Sequence, residues 1–138
     1  MKVLGTLLML LAVATPAAAK EADPKAPPPS YINISPVALP IIVRGQLLNY
    51  VFVNVRVDLA PNTPTDTIRP KEPFFRDALV RAAHRTPFIV EGDYTRIDEA
   101  KLCASLLADI RSITPDRGII GVRVMAQTPK STKVTAPR

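Results

Sequence analysis

The residues from Leu47 to Leu59, LLNYVFVNVRVDL, decide the fold that the rest of the sequence predicts. Apolar and polar side chains alternate along them, as in a β-strand with one buried face. The apolar side holds Val51, Val53, Val55, Val57 and Leu59. The other side holds Tyr50, Phe52, Asn54, Arg56 and Asp58. The valine side is predicted to pack against helices.

The residues before this strand predict a less regular partner. The stretch 31–43 is apolar and β-branched, but Pro36 and Pro40 interrupt it. Proline cannot donate to a strand ladder, so an edge strand or a broken strand is expected. A turn at 44–46 then joins the two strands into a predicted hairpin.

Two helices and a last strand are predicted after a polar, proline-broken loop at 60–70. The first helix follows Pro73, and its buried side is Phe75, Ala78, Leu79 and Ala82. The second runs from roughly Arg96 to Ile113, with a buried stripe of Ile97, Ala100, Leu106, Leu107 and Ile110. The strand at 119–127 is predicted to turn Ile120, Val122, Val124 and Ala126 one way and Arg123 and Gln127 the other.

The predicted order is therefore strand, strand, helix, helix, strand. It indicates an α+β domain over 31–127, in which two helices pack on one face of a small antiparallel or mixed sheet. The proline-rich segment 20–30 reads as a linker, and 128–138 as a disordered basic tail.

Residues 1–19, MKVLGTLLMLLAVATPAAA, are typical of a secretory signal peptide that is cut after Ala19. An apolar run of about a dozen residues spans roughly 18 Å as a helix, less than the ~30 Å core of a bilayer. The domain is predicted to be exported, most simply into a bacterial periplasm. The alternative is an uncleaved anchor that holds it on the inner membrane, facing the periplasm.

Composition argues against several function classes. Part of the formal charge of +6 lies in the tail, so nucleic-acid binding is not indicated. The single cysteine, Cys103, cannot form an intrachain disulfide and is expected to pack as a small hydrophobe. One histidine cannot build a multi-histidine metal site, and Gly-x-Ser-x-Gly and glycine-rich phosphate motifs are missing. The sequence predicts a non-enzymatic protein without metal, cofactor or small-molecule substrate.

The polar side of the first helix has two interpretations. Asp77 and Arg81 are four residues apart, which is the spacing of an ordinary exposed ion pair, and His84 suits the end of a helix. The weaker interpretation is a hydrolase that uses His84 and Asp77. Phe74 stays exposed because Phe75 takes the core side. An exposed aromatic residue beside arginine is typical of interface centres, so Phe74, Arg76 and Asp77 are predicted to form an interface.

The run Pro73-Phe74-Phe75-Arg76-Asp77-Ala78-Leu79, the second helix and the closing Val122–Gln127 strand together resemble the FliL family. These are flagellar basal-body-associated proteins that sit beside the stator units. The resemblance covers about 31–127. It implies a non-enzymatic periplasmic domain with a stomatin-like fold that self-associates into rings. It also implies that Arg76 and Asp77 cap or brace the helix at a subunit contact.

FliL proteins usually carry a transmembrane anchor, whereas residues 1–19 of this chain are predicted to be a short, cleavable signal instead. The leading hypothesis is a FliL-like interaction protein whose partners are components of the flagellar stator or basal body, or other copies of itself. The alternative is a free periplasmic protein, such as an inhibitor or an envelope chaperone, without a flagellar role.

Processing of the signal gives the first prediction. Because the apolar run is short and ends in Ala17-Ala18-Ala19, mass spectrometry of the exported protein should find Lys20 at its amino terminus. Recovery of chains that still begin with Met1 from the membrane fraction would contradict this prediction.

Overall fold

The computed structural model describes residues 30–115 and 118–135. The predicted signal peptide, the linker up to residue 29 and the last three residues of the tail lie outside the described residues. The α+β class is confirmed, with a three-stranded antiparallel sheet, a two-stranded sheet and two long helices. The elements are β1 (Ser30–Val43), β2 (Gln46–Leu59), α1 (Thr65–Ile68), α2 (Glu72–Arg85), β3 (Ile89–Val90), β4 (Asp93–Ile97), α3 (Glu99–Ile113) and β5 (Ile119–Pro129).

Strand β2 lies in the middle of the larger sheet, whose strand order is β1-β2-β5. Its alternation is confirmed, because all five predicted apolar residues are buried. Strand β1 is an edge strand, as its prolines indicated. The turn between β1 and β2 places Arg44 at φ 49° and Gly45 at φ 77°. Two positive φ angles suit the right-handed twist of a two-residue hairpin.

The core lies between the buried face of this sheet and helices α2 and α3. The predicted core side of α2 is confirmed, since Phe75, Ala78, Leu79 and Ala82 are all buried. On α3, Leu106 and Ile110 of the predicted stripe are buried, Leu107 is half-buried, and Leu102, which the prediction did not include, is also buried. The polar side of the sheet remains exposed over much of its area.

The element order differs from the prediction in two places. Part of the expected loop at 60–70 is helical: it contains α1 and the 3₁₀ turn Arg69–Lys71. Ile68 is buried there, and the Thr67 hydroxyl donates to the Pro64 carbonyl at 2.8 Å. The second difference is the β3–β4 hairpin between α2 and α3.

Helix α3 begins at Glu99, three residues later than predicted, because Asp98 caps it. The Asp98 carboxylate accepts from the Lys101 amide at 3.0 Å. The Asp98 amide donates to the Phe88 carbonyl at 2.9 Å, which continues the hairpin contact. Ile97 is therefore a buried strand residue rather than a helix residue, and Ala100 is exposed.

The predicted sides of β5 are wrong at both ends, because the strand has two register shifts against β2. One extra residue, Ile120, lies between the partners of Leu59 and Asp58, and Ile120 is exposed. A second, Met125, lies between the partners of Val55 and Asn54. A bulge shifts the alternation by one residue. Ala126 therefore faces solvent, and Gln127 lies opposite the buried Val53.

The side chain of Gln127, which points toward the core side of the sheet, holds the β3–β4 hairpin against the larger sheet. Its side-chain oxygen accepts from the Ile97 amide at 2.9 Å, and its nitrogen donates to Glu99 at 2.5 Å. Asn49 makes a similar junction from β2. It is 5% exposed, and its amide donates to the carbonyls of Tyr94 and Ser131 at 3.0 and 2.9 Å.

Because of these contacts, the folded domain extends beyond its predicted end at Gln127. Strand β5 continues to Pro129, and the Asn49 oxygen also accepts from the Ser131 amide at 3.1 Å. Thr128 to Ser131 are thus held by the sheet and by Asn49, and do not belong to a disordered tail.

The free edge of β1 is interrupted near its middle. A register shift falls between Ile34 and Val37, and the Ser35 amide there donates to the Glu72 carboxylate at 2.9 Å. Pro36 and Pro40 have no amide hydrogen to offer. The first turn of α2 therefore occupies a main-chain donor that the strand ladder leaves unused.

The orientation of α2 gives the second prediction. Leu79 is fully buried, so Leu79→Ala should lower the free energy of unfolding by about 2–5 kcal/mol. His84 is exposed, and His84→Ala should change it by no more than about 0.5 kcal/mol. Thermal or urea unfolding of both variants measures this. Equal losses for the two variants would contradict the orientation.

Candidate interaction surface on helix α2

Four exposed residues form a stripe along α2, on the side away from the core. They are Phe74, Asp77, Arg81 and His84, spaced by three, four and three residues, and we call them the α2 stripe. This spacing places them on one side of a helix. Phe74 is 61% exposed, more than any other large apolar side chain in the described part of the chain. The predicted exposure of Phe74 beside the buried Phe75 is thus confirmed.

The polar members of the stripe are bound within the helix. Arg81 Nη2 lies 2.7 Å from Asp77 Oδ2, and both side chains are more than half exposed. The His84 ring contacts the Val80 carbonyl through Nδ1 at 2.8 Å. Asp77 and His84, the pair considered for hydrolysis, therefore have separate partners.

Arg76 lies apart from Phe74, although it is exposed as predicted. Residues two apart on a helix are about 200° apart around its axis. The structure thus brings Phe74 together with Asp77 from the predicted interface, and places Arg76 on the other flank. Arg81, seven residues after Phe74, is the arginine that shares its side of the helix.

A shallow groove of about 200 Å³ runs beside the stripe, between α2 and α3. Its lining is Ala78, Arg81, Arg85, Asp109, Ser112 and Ile113. Arg85 reaches across from α2 to Asp109 on α3 at 3.4 Å. The groove thus combines two apolar residues, Ala78 and Ile113, with four polar or charged ones, and one ion pair crosses it. The spacing of Arg81 and Arg85 is visible in the sequence, but the contribution of α3 depends on tertiary packing.

The exposed face of the larger sheet is a second surface. It exposes Tyr31, Phe52 and Met125, each by about half. Beside them, Arg123 donates to both oxygens of Asp58, at 2.6 and 2.9 Å. Arg56 Nε lies 3.1 Å from Asp58, and its guanidinium covers the Tyr31 ring at 4.9 Å. The alternation of β2 in the sequence already predicted Arg56 and Asp58 on this face. The position of Arg123 beside them depends on the pairing of β2 with β5.

Cys103 lies half-buried on α3, against the core. Burial raises the pKa of its thiol, and a backbone hydrogen bond from Val124 acts in the opposite sense. A raised pKa keeps the thiol protonated near neutral pH, which agrees with its expected role as a packing residue.

Within 30–115 and 118–135, no three potential metal ligands gather, and no helix has the length and apolarity to cross a membrane. No protein-family model matches the chain, and no similar curated protein or solved structure was found. The resemblance to the FliL family therefore stays a prediction that rests on its residues.

The Asp58 cluster gives the third prediction. Hydrogen bonds from Arg123 hold the pKa of Asp58 below its usual value, so this carboxylate stabilises the fold above about pH 4. That contribution is lost as pH falls through the lowered pKa. Asp58→Asn should cost about 1 kcal/mol at pH 7 and should weaken the loss of stability below pH 4.

Urea unfolding between pH 2 and pH 7 measures both effects. Arg123→Gln is the companion variant, because it removes the largest cause of the pKa shift from the other partner. If the loss of stability at low pH were the same in both variants as in the wild type, the stabilising role assigned to the Asp58 carboxylate would be wrong.

Proposed function

We propose that this protein is an interaction module of the cell envelope, and that its α2 stripe docks on a protein surface. The observation that carries the proposal is Phe74, which is 61% exposed while the neighbouring Phe75 is fully buried. A phenylalanine whose side chain is mostly exposed contributes little to the stability of the monomer. Interface anchors are typically aromatic residues of this kind, bordered by charged groups and with a groove beside them.

The more specific proposal is a FliL-like role in the periplasm, beside the flagellar stator or basal body. Its support is the Pro73–Leu79 motif on α2 and the signal-like residues 1–19. The alternative is a periplasmic inhibitor or envelope chaperone that uses the same surface without a flagellar partner. No catalytic residue, metal or cofactor is part of either proposal.

The fourth prediction tests this function in the source bacterium. A strain without the gene should swim more slowly, and the wild-type gene should restore its speed. Phe74→Ala should fail to restore it, although the variant folds, because truncation of an interface anchor costs about 2 kcal/mol or more in binding.

Phe52→Ala is the matched control, since Phe52 is a half-exposed phenylalanine on the sheet rather than on α2. It should restore swimming like the wild type. Normal swimming of the deletion strain would exclude the flagellar role and favour the alternative. If Phe52→Ala failed and Phe74→Ala succeeded, docking would have to be assigned to the sheet.

A further inference from the structure

We infer that the α2 stripe binds a second copy of this chain, through antiparallel pairing of the two α2 helices about a two-fold axis. This inference deepens the proposed function and rests on it. It comes from the order of the four residues along the helix, which reads apolar, acidic, basic, aromatic with spacings of three, four and three. That spacing is the same in both directions.

A two-fold axis at the level of Leu79 pairs each stripe residue with a fixed partner on the other copy. Asp77 then faces Arg81 of the second copy, and Arg81 faces Asp77. Phe74 faces His84 in the same way at both ends. A two-fold interface requires such a self-complementary patch, because every contact occurs twice.

The ion pairs can change partner at little cost. Within one helix, Asp77 and Arg81 are already 2.7 Å apart, but their side chains are 57% and 64% exposed. An exposed pair of this type contributes little to folding. The same four charges can therefore form two pairs between the helices, with no carboxylate left buried without a partner.

The groove beside the stripe supplies space for the aromatic ring. In the antiparallel arrangement, Phe74 of one copy arrives at the level of His84 on the other. The groove between α2 and α3 opens there, between Arg81 and Arg85, with Ala78 and Ile113 in its lining. The groove has a volume of about 200 Å³ and is open to solvent, so the ring can enter it from outside and contact Ala78 and Ile113 beside the charged groups. Each copy then both inserts a ring and receives one.

The size of the contact sets its strength. The stripe covers ten residue steps, or roughly 15 Å of helix. Such a contact buries less than the ~1,200–2,000 Å² of a stable complex, so we expect a weak dimer. Its dissociation constant should be on the order of 0.1–1 mM. It would form where copies are concentrated, for example side by side on a shared partner.

A charge-reversal experiment separates pairing between copies from pairing within one helix. Asp77→Arg gives a stripe with two cations, and Arg81→Asp gives a stripe with two anions. Analytical ultracentrifugation of the exported chain at 0.05–2 mM, values chosen to span the expected constant, should show dimers for the wild type. Each variant alone should dimerise at least tenfold more weakly, because like charges meet across the axis.

A 1:1 mixture of the two variants is the decisive sample. Neither variant can restore its own intrahelical pair, but the cationic stripe of one complements the anionic stripe of the other. The mixture should therefore form heterodimers with about the wild-type dissociation constant. Arg76→Asp, on the opposite flank, is the matched control and should leave the wild-type dimer unchanged. Circular dichroism melting curves check that every variant is folded.

Two outcomes would overturn the pairing. One is a wild-type chain that remains monomeric at 2 mM, the upper end of the concentration range chosen above; the other is a mixture that associates no better than its components. An Arg76→Asp variant that weakens the dimer as much as Asp77→Arg would overturn the position of the axis. If the chain is monomeric but Phe74→Ala still fails to restore swimming, the interaction module stands and its partner is a different protein.

Discussion

The structure depends on strand β2, which is hydrogen-bonded on both sides and has one apolar face. The main-chain donors and acceptors of β2 are hydrogen-bonded to β1 and β5. Its side chains must therefore point alternately to the two faces of the sheet. The five apolar residues of β2 are then buried together on the same face. Helices α2 and α3 cover that side, and the bulges in β1 and β5 let the outer strands follow β2 where their own sequences do not fit its period.

The parts of the fold that depend on local pattern could be predicted from the sequence. Period-two alternation located β2, proline located the edge strand, and helical spacing located the buried side of α2. The bulges of β5 could not be predicted, because Ile120 and Met125 are ordinary strand residues and only pairing with β2 shows that they are extra. The roles of Asn49 and Gln127 were missed for the same reason, since their partners lie in segments far away along the chain.

The candidate surface shows the same division between local and tertiary information. Phe74 and Phe75 are adjacent, so they point about 100° apart on a helix, and the core can take only one of them. The sequence therefore sufficed to predict an exposed aromatic residue. It did not give the groove, whose second wall belongs to α3, and it grouped Arg76 with Phe74 although helix geometry separates them. Folding and association consequently depend on different sides of α2, and substitutions can alter one without the other.

The contact between Ser35 and Glu72 affects how copies of the domain behave when crowded. An edge strand with free amides invites another strand to add to it, and repeated addition leads to fibrils. Here the amide released by the β1 irregularity is already bound by a carboxylate of α2, and two prolines offer no donor at all. At this point a foreign strand would have to displace the Glu72 side chain, which belongs to the same helix as the exposed phenylalanine. The middle of this edge is therefore a poor template for strand addition, because it lacks free main-chain donors at Ser35, Pro36 and Pro40.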